Sequence, residues 1–441
     1  MFSQEWPFVR EYINNVRKAF PHAFIVVGGE HVTAMSEFTL GDCPSIDYLV
    51  IGEGELILLE LVFKLRNNQP LENIRGLASI KNGDYSLPGE SPRMANIKRM
   101  PWPSWDQVNL DAYFKPNFTM GISHGRNIAM MATRGCPYQC TFCSSPTMWT
   151  TRYTMRDVQD VVDEIVHYIQ TYHITSVDFY DLTAIVKRDW ILDLIQEMKD
   201  RNLDIVWQLP SGTRSESLDQ QVLQGLADTG CEFIVYAPES GSKKTLDTIK
   251  KRLSLPKLQK SVSTALKSGL IVKVNFIIGF PFEKRRDIFK TLTFIWKLAL
   301  MKVDDCNVST FSPYPGSELF NGLKNDGVIE AIDDQYFEGL MTQFDLTIPK
   351  TYCRHVGGRE MMIYRITGMA GFYCVSYLRC PSRIVRLIKL FFKNAPFQPL
   401  SLFEQRMFDL KIRFQGSDNK KCEGDPIPEK KAIVEQKEYS S

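Results

Sequence analysis

The chain has 441 residues, 44% of them apolar and 12% aromatic, enough for two or three domains with filled cores. Its net charge of +2 gives no global signal for nucleic acid or any strongly charged partner. Ten cysteines in a chain of this length do not suggest a secreted disulfide scaffold, the start at Met1 carries no signal-peptide pattern, and no run of about 18 apolar residues offers a membrane span. The expected compartment is the reducing cytoplasm.

In chain order, Trp6 to Phe20 has helical apolar spacing (Phe8, Val9, Tyr12, Ile13, Val16, Phe20) and stops at Pro21. Phe24 to Val27 reads as a buried strand running into Gly28-Gly29-Glu30-His31. Tyr48 to Ile51 reads as a second, running into Gly52-Glu53-Gly54-Glu55 and then an apolar-rich helix from Leu56 to Leu65. Strand, glycine turn and helix are the grammar of a parallel sheet whose ligands sit at strand C-termini, and Gly28, Gly29, Gly52 and Gly54 would let a ligand approach the backbone. Residues 1–90 are thus expected as a Rossmann-like half-domain. Residues 91–121, with Pro92, Pro101, Pro103 and Pro116 among the aromatics Trp102, Trp105, Tyr113 and Phe114, suit an extended linker strapped across a surface.

From residue 122 the pattern becomes a regular alternation. Strands are expected at Ile128 to Thr133, Ser176 to Tyr180, Ile205 to Leu209, Phe233 to Ala237, Ile271 to Ile278 and Asn307 to Phe311. Helices are expected between them at Asp157 to Tyr172, Lys187 to Arg201, Asp219 to Thr229, Lys257 to Ser268 and Arg286 to Leu300, with Gly230 and Gly269 closing two of them. Such βα repeats argue an α/β fold: a partial (βα)6 TIM-like barrel over 122–330, with functional residues at the C-terminal strand ends.

The first of these strands delivers Arg134-Gly-Cys-Pro-Tyr-Gln-Cys-Thr-Phe-Cys143, which places Cys136, Cys140 and Cys143 at spacings of four and three. Thiolates select zinc or iron–sulfur clusters, and closed structural zinc sites and ordinary 4Fe–4S clusters both want four protein ligands. Three cysteines leave one metal position open, the mark of a catalytic site. The C-x3-C-x2-C spacing, with Phe142 before the last cysteine, resembles the signature of the radical S-adenosylmethionine (SAM) superfamily. That resemblance implies that Cys136, Cys140 and Cys143 hold a 4Fe–4S cluster and that its open iron chelates the amino and carboxylate groups of SAM. One electron would then cleave SAM to a 5′-deoxyadenosyl radical.

The later strand ends are similar to further elements of that family. Asp181 in Phe-Tyr-Asp-Leu-Thr matches an acidic SAM-contact motif, with Leu182 where a second acid is usual. Ser211 and Arg214 in Pro-Ser-Gly-Thr-Arg are polar rim groups, and Arg214 can pair a carboxylate through two bonds. Pro238-Glu-Ser-Gly-Ser242 resembles a Glu-Ser-Gly element in which Glu239 contacts SAM. Gly279-Phe-Pro-Phe-Glu283 resembles a Gly-x-Pro-x-Glu turn near the adenine, and Pro313 to Ser317 follows the sixth strand. Phe142, Asp181, Glu239 and Gly279 are thereby implied to line SAM.

The pair Gly-Gly-Glu-His and Gly-Glu-Gly-Glu resembles the second half of a cobalamin-binding domain. Such domains precede the barrel in one subfamily, that of the anaerobic magnesium-protoporphyrin ester cyclases and the radical SAM C-methyltransferases. Strands of that domain are missing ahead of this point, and His31 is not at the family's axial-ligand position. The half-domain is therefore expected to be N-terminally incomplete: either the true start lies upstream of Met1, or the stretch is a remnant that packs on the barrel. Cobalamin at Gly28, Gly29, Gly52 and Gly54 is what the resemblance implies for the whole family, and both alternatives stay open for this chain.

Residues 331–415 are expected as a helical C-terminal region, with helical spacing from Gly357 to Tyr377 and a helix opened by Ser382 after Pro381. The latter carries Ile384, Leu387, Ile388 and Phe391 on one face and Arg383, Arg386, Lys389 and Lys393 on another. It reads as a core-packed helix with a solvated basic face, or alternatively as a peripheral membrane contact. Residues 416–441 read as a disordered tail. Cys231 and Cys306 are expected to be core thiols, and His124, His167 and His173 structural. The leading expectation is hydrogen abstraction from an unactivated carbon of a small-molecule or lipid-like substrate, ending in cobalamin-linked methyl transfer. An external flavodoxin- or ferredoxin-type donor would supply electrons, and nucleic acid is not an expected partner. The alternatives are a cobalamin-independent radical oxidation, cyclisation or rearrangement, and a non-enzymatic iron–sulfur or zinc protein.

Overall fold

The structure, a computed structural model, describes residues 1–94, 96–114, 120–343, 350–389, 400–401, 403–405, 407–408 and 410–411. The expected tail from 416, together with Pro116, Phe391, Lys393 and Cys422, lies outside these residues.

Two short apolar runs pair in parallel near the N-terminus, β1 (Val26–Gly28) and β2 (Tyr48–Val50). A hairpin, β3 (Leu77–Lys81) and β4 (Asp84–Ser86), extends them antiparallel in the order β1-β2-β3-β4. Asn82 (φ 52°) and Gly83 (φ 89°) form its turn; Asn-Gly between two strands is a hairpin signal that the sequence reading passed over. The helix Trp6–Ala19 buries Trp6 and Ile13 and turns Phe8 and Tyr12 outward. Trp6 stacks on His31 with ring centroids 4.9 Å apart.

The alternating segment forms a six-stranded, all-parallel sheet from β5 (Asn127–Met130), β8 (Ser176–Phe179), β9 (Val206–Thr213), β10 (Cys231–Glu239), β11 (Ile271–Ile278) and β12 (Asp305–Thr310), in sequence order. Between β5 and β8 lies a two-stranded antiparallel ribbon, β6 (Thr133–Arg134) with β7 (Thr154–Met155). The first barrel strand therefore ends sooner than its apolar run suggests, and the ribbon closes the cysteine loop at its neck. β9 and β10 run past their expected ends through Pro210 and Pro238. The register slips on either side of Tyr236, and a bulge lets a strand accept a proline that cannot donate to the ladder.

Amphipathic helices Val158–Tyr172, Arg188–Asp200, Gln220–Asp228, Leu255–Lys267 and Arg285–Leu300 cover the outside of the sheet. They enclose one apolar core that includes Trp207, Tyr236, Phe276, Cys231 and Cys306, so both thiols are core residues. The helix Gly358–Arg379 packs on Arg285–Leu300, and Gly368 and Gly371 make room there for Leu292 and Trp296.

The basic helix is Ser382–Lys389, and its polar face is not a free membrane surface. Arg383 is buried and donates to the carbonyls of Lys302 and Val303 (both 2.8 Å) and to Asp304, while Arg386 pairs with Glu404 at 2.6 Å. The expected packing is reversed, since Ile384, Val385 and Ile388 are exposed while Arg383 is buried, and the alternative of membrane contact is not supported. Among the described residues no helix is long and apolar enough to cross a membrane. His124 pairs with Glu232, His167 lies against Trp102, and His173 caps its helix in the left-handed region.

Two turns fix the C-terminal strand ends. In the first, Gly241 follows β10 against the helix Arg285–Leu300, where a Cβ would meet the Lys290 carbonyl oxygen and Phe294 Cβ, each at 2.6 Å. Overpacking of this kind costs on the order of 1–3 kcal/mol. Gly241→Ala is expected to lower the thermal midpoint while leaving secondary structure intact by circular dichroism. In the second, Glu283 folds back on Gly279 (φ +85°), accepting from the Gly279 and Phe280 amides (2.7 and 3.2 Å) and from Thr245 Oγ1 (3.0 Å). Burial outweighs these bonds and raises the carboxyl from 4.5 to about 7. The folded chain thus holds this proton more tightly than the unfolded one. The resulting stability is full below pH 4.5 and is lost as pH rises through about 7. Denaturant midpoints measured across that window should fall with rising pH, and fall less in Glu283→Gln.

Candidate active site

The cysteine loop stands at the C-terminal edge of the sheet, where β5 and the β6–β7 ribbon release it. The edge is the right place for chemistry, since side chains from several strand ends converge there on one volume. Three ties hold the loop. The Thr141 amide donates to the Ile249 carbonyl (3.1 Å), the Leu319 amide donates to the Thr141 carbonyl (2.9 Å), and Phe142 lies edge-on to Phe280 at 5.8 Å. Cys136 Sγ lies 3.5 Å from Thr183 Oγ1, and Cys143 Sγ lies 3.2 Å from Ser145 Oγ. Burial pushes the Cys140 thiol up to about 11 against the opposing pull of the Lys251 ammonium, and burial raises Cys143 as well. Burial thus favours the neutral thiols, and a metal that binds them would displace their protons.

Among the described residues no three His, Cys, Asp or Glu side chains gather around a single ion. A cuboidal cluster asks for something else, since each cysteine binds its own iron; Cys136, Cys140 and Cys143, with hydroxyls beside two of the sulfurs, are the residues that would hold it.

Beside the loop the strand ends enclose a cavity of about 240 Å³, lined by Phe142, Ser211, Glu239, Asn275, Asn307, Thr310 and Tyr314 among others. Two of its polar atoms, Asn275 Oδ1 and Thr310 Oγ1, are buried without a hydrogen-bond partner, as expected of groups that await a ligand. A larger hollow of about 800 Å³ lies outside the sheet, between the helices Arg188–Asp200 and Gln220–Asp228, among solvated side chains.

The expected site residues divide here. Glu239 reaches the cavity from a left-handed backbone (φ 64°), a strained geometry for a residue with a side chain. Its Oε1 accepts from Lys251 Nζ at 2.8 Å, both side chains being buried. Burial works against the Lys251 charge, but Glu239 and Cys140 hold it above its ordinary value. Lys251 was not legible as a site residue, because the loop that carries it follows no strand end. Gly279 brings its turn beside Phe142 through Phe280.

Arg214 does make two bonds to a carboxylate, but to its own neighbour Glu216 (2.8 and 3.3 Å). It also donates to the carbonyls of Lys251 and Arg252 (2.9 and 2.8 Å) and stacks on Tyr138 of the cysteine loop at 3.7 Å. It is a clamp on the loop. Asp181 differs more from expectation. It is fully enclosed, and its carboxylate accepts from the Ala132 amide (3.1 Å), the Thr133 amide and the Thr133 hydroxyl. Burial raises it to about 6. It braces the strand ahead of the loop rather than facing the cavity.

The glycine turns of the half-domain face the same loop. Ser144 donates to Glu30 Oε1 (2.5 Å), and Arg134 reaches Glu53 Oε2 (3.4 Å) and Glu55 Oε1 (2.5 Å). Gly28 and Gly54 lie beside Val50 at 3.7 and 3.4 Å from an added Cβ. At Gly29 a Cβ would meet the Met1 backbone nitrogen at 2.5 Å, and at Gly52 it would meet Ser91 at 3.2 Å. Cobalamin can approach Gly52 closely only if Ser91 gives way. His31 is buried with its ring nitrogens near Ser3 Oγ (3.1 Å) and Thr39 Oγ1 (3.3 Å), a structural histidine.

Comparison with known proteins agrees with this arrangement. The family model for the radical SAM superfamily matches residues 130–295, and that for the B12 binding domain matches residues 1–62. An uncharacterized methyltransferase of Pyrococcus horikoshii is 34% identical over 301 residues, 68% of this chain and 62% of its own. The anaerobic magnesium-protoporphyrin IX monomethyl ester cyclase of Cereibacter sphaeroides is 25% identical over 328 residues, 73% of this chain and 52% of its own. The chain thus spans about half to three-fifths of the length of these relatives. Among solved structures, the cobalamin-dependent SAM radical enzyme OxsB, with aqua-cobalamin and SAM bound, superimposes with a TM-score of 0.66 at 15% identity, covering 95% of this chain and 62% of that one. The loop, the parallel sheet and these matches agree: the chain belongs to the radical SAM superfamily, with a B12-binding-type domain ahead of the sheet that carries the cysteine loop.

Proposed function

We propose that this chain is a radical SAM enzyme that abstracts hydrogen from an unactivated carbon of a small-molecule substrate, with methylation of that carbon as the leading outcome. The observation that carries the proposal is the loop of Cys136, Cys140 and Cys143 standing beside a cavity at the C-terminal edge of the parallel sheet, which Phe142 of that loop helps to line. Bound there, a 4Fe–4S cluster supplies the electron that cleaves SAM.

The chain's own residues do the rest. Lys251 places a fixed positive charge beside Cys140 and pins Glu239 through one oxygen, leaving the other to accept a hydrogen bond from SAM. Phe142 and the Gly279 turn wall the adenosyl side. Asn275 and Thr310 offer unpaired polar atoms to a ligand in the same cavity. Phe142, Phe311 and Tyr314 give the cavity an aromatic wall, and Phe280 packs against Phe142 and Phe311. An external flavodoxin- or ferredoxin-type donor supplies electrons. The free state of all nine described cysteines suits a reducing compartment such as the cytoplasm.

A second reading, radical chemistry without cobalamin, is favoured by one observation: Ser91 already lies against Gly52, 3.2 Å from where a Cβ would stand. Titration of the chain with aquacobalamin, followed by equilibrium dialysis, separates the two. Uptake of one cobalamin per chain supports the methyltransfer reading, and no uptake supports the second. The shared core of both readings is tested by anaerobic reconstitution with iron and sulfide, then dithionite and SAM. Formation of 5′-deoxyadenosine that vanishes in Cys140→Ala is the expected result. No product from a fully loaded cluster overturns both.

A further inference from the structure

The acids of the two glycine turns, Glu30 after β1 and Glu53 and Glu55 after β2, all reach residues that flank the cysteine loop. At the loop's entry Arg134 is buried between Glu53 and Glu55, with its guanidinium over the Trp149 ring at 5.6 Å. Glu53 is itself buried and engages a second strand of contacts. Its Oε2 accepts from the Met94 amide (3.2 Å), and its Oε1 lies 2.8 Å from Arg93 Nε, a charge contact whose N–H is not aligned for a hydrogen bond. Arg93 in turn donates to the Arg152 carbonyl (2.9 Å), where the loop returns. The next residue, Gly135 (φ +82°), has no room for a Cβ, which would overlap the Arg152 carbonyl oxygen at 2.0 Å. At the loop's exit Ser144 is held by Glu30, and Met148 lies 3.3 Å from Thr33 Oγ1, which also receives the Gly52 amide.

We propose that the half-domain serves as the outer brace of the cluster site. In this account Glu53 and Glu55 on Arg134, with Glu30 on Ser144, fix how far apart the two ends of the cysteine loop stand. They are positioning residues whether or not cobalamin is bound. The inference rests on the reading of the loop as a cluster site and goes beyond it. The physical ground is that an eight-residue loop from Cys136 to Cys143 has little internal structure of its own, so its thiols converge only as well as its two ends are held. Partners outside the ligand set commonly change metal affinity by about 10–100-fold.

The test uses the full chain with Glu53→Gln, Glu55→Gln and Ser144→Ala, each reconstituted anaerobically. Iron loss to a ferrous chelator should accelerate on the order of tenfold in Glu53→Gln and less in the other two, with a broadened EPR signal from the reduced cluster. In the metal-free chain, trypsin should cut after Arg134 faster in Glu53→Gln and Glu55→Gln than in the wild type. Glu55 is 41% exposed, so its replacement leaves the fold intact even where that of Glu53 does not. Iron loss, spectrum and cleavage all within about twofold of wild type in the folded variants overturn the inference. A wild-type chain that takes up no iron overturns the cluster reading, and this inference with it.

Discussion

Three thiols on one short loop can address one inorganic centre only if the loop is held from outside, because its own backbone bond, from the Cys143 amide to the Cys140 carbonyl (3.1 Å), fixes only its last turn. Every notable contact of the site serves that end. Asp181 gathers the amides of Ala132 and Thr133 ahead of the loop, Arg214 stacks on Tyr138 within it, and the Ile249 carbonyl takes the Thr141 amide. Arg134 and Ser144 tie its ends to the half-domain. Several of these groups are charged and buried. Each is satisfied by a partner from a different element, so the loop's position is set by the assembled fold rather than by local propensity.

This division also explains what could be read before the fold was seen. The repeat of apolar strands and amphipathic helices follows from periods of 2 and 3.6, and all six strands and five helices survive in the finished sheet, with the ends of β5, β9 and β10 displaced. The cysteine spacing and the acids and glycines at strand ends are local signals too. What could not be read depends on contacts distant in sequence. Lys251 becomes a site residue only because it meets Glu239 across the cavity wall. Asp181 lies at a strand end as expected, yet its carboxylate turns inward to backbone amides 48 and 49 residues away. The basic helix has the right periodicity for a surface, but Arg383 plugs the carbonyls of Lys302 and Val303, whose proximity no helical wheel contains. The β3–β4 hairpin is a different case, since Asn82-Gly83 announced it.

The half-domain and the barrel are joined by charge as well as by apolar packing. Trp6, Val32, Leu40 and Leu49 share a core with Phe280, Phe311 and Phe337, so β1 and β2 are continuous with the wall of the cavity. The two glycine turns that end these strands meet the residues that flank the cysteine loop, Arg134 and Ser144.

The central claim, that Cys136, Cys140 and Cys143 hold a cluster with one iron open to SAM, is tested most directly by Mössbauer spectroscopy. The chain would be reconstituted with isotopically enriched iron and measured with and without SAM. The account predicts about four irons per chain, one of which changes its spectrum when SAM is added while the other three do not. Four irons that ignore SAM, or a chain that takes up a single zinc and no iron, would contradict it.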